Sequence, residues 1–172
     1  MGRPKHLLGA DTGISWIEQQ MTVLEPLVQR VVVAGTGRLP PKLAELERLS
    51  DVPDVQGPLA GMLAALRWQP HACWLIVACD MPSISPEAIE WLLAQRLPGR
   101  HAIQPRLRTD APVEPLLACY ETQAIPTLET MVRQSERSPS RLSAHAPVHS
   151  PVIPESLAGC WRNVNCHDDL ID

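Results

Sequence analysis

Asp80 closes an apolar run, Trp74-Leu75-Ile76-Val77-Ala78-Cys79, and Met81-Pro82 follows at once. A run without polar alternation suits a strand buried on both faces, as in a parallel sheet between helices. Asp80 then stands at the carboxyl end of that strand, the edge where open α/β sheets hold their ligands. A hard carboxylate there can hold Mg²⁺ against a phosphate group; the plainer alternative is that Asp80 only ends the strand and caps a turn. Three further clusters could do chemistry. In Met1-Gly2-Arg3-Pro4-Lys5, a flexible ammonium near a glycine turn suits neutralisation of phosphate charge, although a basic pair of this kind also serves as plain solvated surface. From Asp51 to Gly61, Gly57 and Gly61 bracket a helix start, where unpaired N–H groups and the helix dipole favour an anion or a ligand edge. Close packing of a helix on a sheet would ask for glycine just as well. In Trp161-Arg162-Asn163-Val164-Asn165, strand alternation would turn Asn163 and Asn165 to one side, towards a common object or simply towards water.

The rest of the composition narrows the field. The chain has 172 residues and a net charge of −4, with no long basic block, so nucleic acid and anionic membrane are poor default partners. That length suits a single domain over 1–172, burying on the order of 70% of the unfolded surface. No apolar stretch is long enough to span a bilayer and there is no signal-peptide pattern, so the expected location is cytoplasmic. Five cysteines without CxxC spacing read as reduced core residues, Cys79 among them. His145 and His149 stand four apart, but Pro147 between them argues against a shared helical metal face.

Helices and strands must alternate to position these clusters. Ser15-x-x-Glu18 is a capping-box pattern, with Ile17, Met21, Leu24 and Val28 following at helical spacing. A short buried strand is expected from Arg30 to Ala34, then a leucine stripe of helical type over 41–49. Gly57-Pro58 opens a helix with Leu59, Met62, Leu63 and Leu66 on one face. Ser85-Pro86 supplies the cap and first residue of another, running to about residue 96. Strands are expected over 101–105 and 113–120, a helix over 122–134, a proline- and serine-rich stretch with little periodicity over 135–157, and a last strand over 161–165. Repeated αβ units with short links argue for a doubly wound, mostly parallel sheet.

Taken together, the clusters resemble the molybdenum cofactor guanylyltransferases, the MobA-like nucleotidyltransferases. The similarity rests on Met-Gly-Arg-Pro-Lys at 1–5, Gly-Pro-Leu-Ala-Gly at 57–61, Cys-Asp-Met-Pro at 79–82, Glu-Pro-Leu-Leu-Ala-Cys-Tyr at 114–120 and Asn-Val-Asn-Cys-His-Asp-Asp-Leu at 163–170. It implies a Rossmann-like nucleotidyltransferase fold and transfer of GMP from GTP to the molybdopterin cofactor, with release of pyrophosphate. By the same resemblance, Lys5 would neutralise phosphate charge and Asp80 would hold Mg²⁺. Asp51, Gly57 and Gly61 would lie on the nucleotide, and Asn163 and Asn165 would face the pterin phosphate. Molybdoenzyme apoproteins or their chaperones would receive the product.

The chain departs from that pattern in one respect. Members of the family carry a short strand and a glycine-rich loop directly ahead of Met-Gly-x-x-Lys, and this sequence starts at the methionine. Loss of three or four buried strand side chains costs on the order of 5–10 kcal/mol. The expectation is a start upstream of Met1, with a genuinely truncated and inactive product as the alternative, and in either case impaired catalysis by the 172 residues as written. Two alternatives accompany the guanylyl reading. One is a related CTP- or sugar-phosphate nucleotidyltransferase, and the other a non-catalytic molybdopterin-binding protein.

Overall fold

The computed structural model describes residues 7–9 and 13–164. Helix α1 (Trp16–Leu24) starts at Ser15, whose amide donates to the Glu18 carboxylate, the capping-box contact expected there. Strand β1 (Val33–Ala34) follows, then a short 3-10 helix (Pro41–Leu43) and strand β2 (Arg48–Leu49), parallel to β1. The leucine stripe over 41–49 thus does not form one helix: its second half pairs with β1. Helix α2 (Pro58–Trp68), strand β3 (Trp74–Val77) and helix α3 (Pro86–Ala94) come next. The Ser85 hydroxyl accepts from the Ala88 amide and caps α3. Strands β4 (Ala102–Ile103) and β5 (Leu117–Tyr120) precede helix α4 (Ile125–Arg133) and the short strand β6 (Val148–His149). A 3-10 helix, Glu155–Trp161, replaces the start of the last expected strand, and 162–164 form none.

The larger sheet has the order β3-β5-β4-β6. Strand β5 is antiparallel to both β3 and β4, and β6 is parallel to β4, so three of the four strands share one direction. Alternation divides their side chains between two layers. Leu75, Leu117, Cys119 and Ile103 pack with α1 and α3. Ile76, Ala118, Tyr120 and Ala102 turn to the other face, against α2 and α4. Both layers are apolar, so the strands read as continuous apolar runs with helices on each side, the doubly wound arrangement. Among the described residues no strand lies between β1 and β3, and the two sheets stay separate.

Among the cysteines, Cys119 and Cys160 are buried and Cys73 is half-buried, but Cys79 is exposed, contrary to its expected place in the core. Strand β3 ends two residues earlier, and the chain has already turned out of the sheet there.

Candidate active site

Asp80 leaves β3 through a turn that two distant segments hold. Gln20, buried on α1, donates its Nε2 to the carbonyls of Ala78 (2.8 Å) and Met81 (3.0 Å). Met81 itself is buried in the core between α1 and α3. From the other side, the Val164 amide donates to the Asp80 carbonyl at 2.9 Å. Trp161 anchors that segment: its Nε1 donates to the Leu117 carbonyl at 3.0 Å, and its ring meets Trp91 edge-on at 5.7 Å. Asn163 is therefore carried beside Asp80 on an exposed stretch, next to the Val164–Asp80 main-chain bond, and residues 162–164 form no strand.

The facing wall is built on β1 and α2. Gly35 follows β1 with φ +100°, and Gly57 precedes α2 with φ +73°. Both are left-handed conformations that favour glycine. Gly61, one turn into α2, lies so near β1 that a Cβ there would stand 2.8 Å from the Ala34 Cβ and 3.4 Å from Asp51 Oδ1. Both readings of this glycine therefore meet. It permits close packing of helix on strand, and it lets the Asp51 carboxylate lie against the opening turns of α2.

Gly35, Asp51, Gly57, Gly61 and Asp80 all line one cleft, whose volume is about 1220 Å³. The tertiary structure thus brings Asp51, Gly57, Gly61 and Asp80 together at the carboxyl ends of β1 and β3. Asn163 stands at the Asp80 side without lining the cleft. Lys5 and Asn165 lie outside the described residues. Among the described residues, no group of three His, Cys, Asp or Glu side chains gathers as a metal cage. The donor set nonetheless fits Mg²⁺, which is commonly bound through one or two carboxylates and completes its shell with phosphate oxygens and water.

Comparison with known proteins decides the family. The pattern of the MobA-like NTP transferase domain matches residues 1–149. The chain belongs to that family. It is a nucleotidyltransferase. It is 27% identical over 152 residues to a Bacillus mycoides protein named "Probable molybdenum cofactor guanylyltransferase", covering 86% of this chain and 74% of the relative. A Bacillus cereus protein of the same name is 28% identical over 178 residues, covering 99% and 87%. In three dimensions the transferase is similar to molybdopterin-guanine dinucleotide biosynthesis protein A from Archaeoglobus fulgidus. That match has TM-score 0.79 and 27% identity, over 98% of this chain and 88% of the other. The 2-C-methyl-D-erythritol 4-phosphate cytidylyltransferase of Thermus thermophilus shares the fold, with TM-score 0.71 and 17% identity over 98% and 91% of the two chains.

Gln20 is the residue of the transferase that sequence reasoning passed over. Its signal was present: a glutamine among Ile17, Met21 and Leu24 on the buried stripe of α1, where a polar side chain needs partners.

Proposed function

We propose that this nucleotidyltransferase is a molybdenum cofactor guanylyltransferase. The terminal phosphate of molybdopterin attacks the α-phosphorus of GTP, the bond to the β-phosphate breaks, and pyrophosphate leaves. The observation that carries this reading is the meeting of Asp80, Asp51 and the glycine-bracketed start of α2 in one cleft at the strand ends. Such a reaction needs no covalent nucleophile. The protein's work is to position the phosphates and balance their charge.

In this reading Asp80 holds Mg²⁺, which when bound offsets charge on the phosphate oxygens. Asp51 and Gly61 lie along the guanine and ribose, and the positive end of the α2 dipole at Gly57 faces the ligand edge. Lys5 neutralises the departing phosphates, and Asn163 and Asn165 meet the pterin phosphate. The relatives' names support the choice of substrates. Reduced cysteines suit the cytoplasm, where apo-molybdoenzymes or their chaperones would accept the product.

Calorimetric titration with GTP and with CTP, each with and without Mg²⁺, tests the proposal. The expected result is Mg²⁺-dependent GTP binding that Asp80→Ala weakens at least about tenfold, equal to about 1.4 kcal/mol. Preference for CTP would overturn the guanylyl assignment. A folded chain that binds molybdopterin but neither nucleotide would be a cofactor carrier and not a transferase.

A further inference from the structure

At the end of β3 opposite Asp80, a second cluster of reactive side chains gathers. Cys73 stands one residue ahead of β3, and Cys119 lies within β5. Trp74 pairs with Tyr120 and Leu75 with Cys119, which puts Cys73 level with Glu121, two residues from Cys119 along the same face. Cys73 and Cys119 are therefore diagonal neighbours, at a spacing where side chains meet. Both belong to the apolar layer against α1 and α3, Cys119 fully buried and Cys73 half-buried. The two thiols are hydrogen-bonded, Cys119 donating to Cys73. Arg96, just past α3, closes the cluster from outside. Its Nε and Nη2 donate to the two carboxylate oxygens of Glu121 at 2.6 and 3.1 Å, and both charges stand beside Cys73. The two sulfurs differ in character. The hydrogen bond from Cys119, helped by the Arg96 charge, holds the Cys73 thiol below its ordinary range, although partial burial and Glu121 act the other way. The same bond and full burial push the Cys119 thiol well above that range. A thiolate is the attacking form of cysteine, and a protonated thiol beside it can resolve what the attack produces.

We propose that Cys73 and Cys119 are a peroxide-sensitive dithiol, a modification site that closes to a disulfide and reopens with a small thiol. The Cys73 thiolate attacks one oxygen of the peroxide and the O–O bond breaks. The departing oxygen takes a proton and leaves as water, and Cys73 becomes a sulfenic acid. The Cys119 sulfur then attacks the Cys73 sulfur, the S–O bond breaks, and the hydroxyl leaves as a second water with the Cys119 proton. The two thiols lose two electrons in all, and the peroxide gains them. Because Cys73 precedes the first rung of the β3–β5 ladder, it approaches Cys119 without breaking that pairing. The other described cysteines are placed differently. Cys160 donates its thiol to the Ser85 hydroxyl at 3.7 Å, and Cys79 is exposed past the far end of β3.

The test treats the purified, fully reduced chain with hydrogen peroxide, blocks the remaining thiols by alkylation and maps the products by mass spectrometry. The expected product is one bridge within the chain between Cys73 and Cys119, with a mass lower by two hydrogens, which dithiothreitol reverses. The bridge is expected to persist in Cys79→Ser, which removes the exposed competitor. In Cys73→Ser, oxidation of Cys119 should slow on the order of tenfold or more, because the attacking thiolate is gone. In Cys119→Ser, Cys73 should stop at the sulfenic acid, which dimedone traps. Should either variant fail to fold, the map of the unaltered chain still decides. Treatment in urea removes the strand pairing, and there the single bridge should give way to mixed pairings among the five cysteines. Oxidation confined to Cys79, with Cys73 and Cys119 still open to alkylation, would overturn the proposal. So would Cys73 driven to sulfinic acid beside a free Cys119, a bridge joining two chains, or the same bridge yield in urea as in the folded chain. No nucleotide enters the experiment, so its outcome leaves the guanylyl-transfer reading untouched.

Discussion

Gly61 shows how a single missing side chain sets the geometry of the site. A Cβ at this position would meet the Ala34 Cβ at 2.8 Å, inside the closest approach that carbon atoms accept, and it would touch Asp51 at 3.4 Å. Gly61→Ala would therefore push α2 away from β1. The expected loss is about 1–3 kcal/mol of stability, read as a lower denaturant midpoint. Mg²⁺-dependent GTP affinity should fall with it, because Asp51 moves with the strand end. Equal stability of the variant and the parent would show that α2 shifts without cost. At this scale the sequence was readable where residue chemistry and chain punctuation coincide. Asp80 ends an apolar run, and Gly57 precedes a proline that opens a helix. It was less readable at Asn163, because the expected strand is not formed over 162–164. There the deciding contact is the Val164 amide on the Asp80 carbonyl, from a segment more than eighty positions away in sequence.

Helix starts were the elements most legible in advance, because capping is local chemistry. Ser15 and Glu18, Gly57 and Pro58, and Ser85 and Pro86 open α1, α2 and α3 as expected. The α1 cap carries a pH signature. Hydrogen bonds from the Ser15 hydroxyl and amide hold the Glu18 carboxyl below its ordinary range. A carboxyl whose pKa is lower in the folded state stabilises the fold above its unfolded pKa, and that contribution is lost as pH falls through the folded value. The expected outcome is a stability difference between the parent and Glu18→Gln that is present at neutral pH and disappears in acid, below about pH 4, as measured by urea unfolding across pH. A difference independent of pH would mean that the carboxylate charge takes no part in the cap. Short strands were far less legible. Strand β2 came out of a stretch with leucines at helical spacing, because pairing with β1 outweighs local periodicity over two residues. Strand β6, Val148–His149, lies between Pro147 and Pro151 in a stretch with little periodicity, and exists by parallel pairing with β4.

At the scale of the whole molecule, Gln20 ties the halves of the site together. Its side chain joins α1 to the turn after β3 across 58 and 61 positions of sequence, inside the core. Gln20→Leu fills similar space but leaves the Met81 carbonyl without the Gln20 donor and the Ala78 carbonyl with only the Met81 amide, at 3.3 Å. Leaving buried acceptors unsatisfied costs about 1–3 kcal/mol. GTP affinity should drop further than this loss of global stability predicts, since the Asp80 turn is the part released. Parallel measurement of unfolding free energy and calorimetric Kd checks both. Unchanged GTP affinity in the folded variant would show that Val164 and Met81 hold the turn without help.

Sequence by itself determined the alternating αβ course, the helix caps, the apolar run that stops at Asp80 and the likeness to a nucleotidyltransferase family. All of these are written in contiguous residues, where spacing, capping and turn chemistry act over a few positions. Only the tertiary structure decided that Asp51 and Asp80 share a cleft, that Gln20 and Val164 hold the Asp80 turn, and that residues of β1 and β3 line the same cleft. Those relations join residues tens of positions apart. They follow from which apolar faces bury one another and which backbone edges find partners, and no local pattern encodes either.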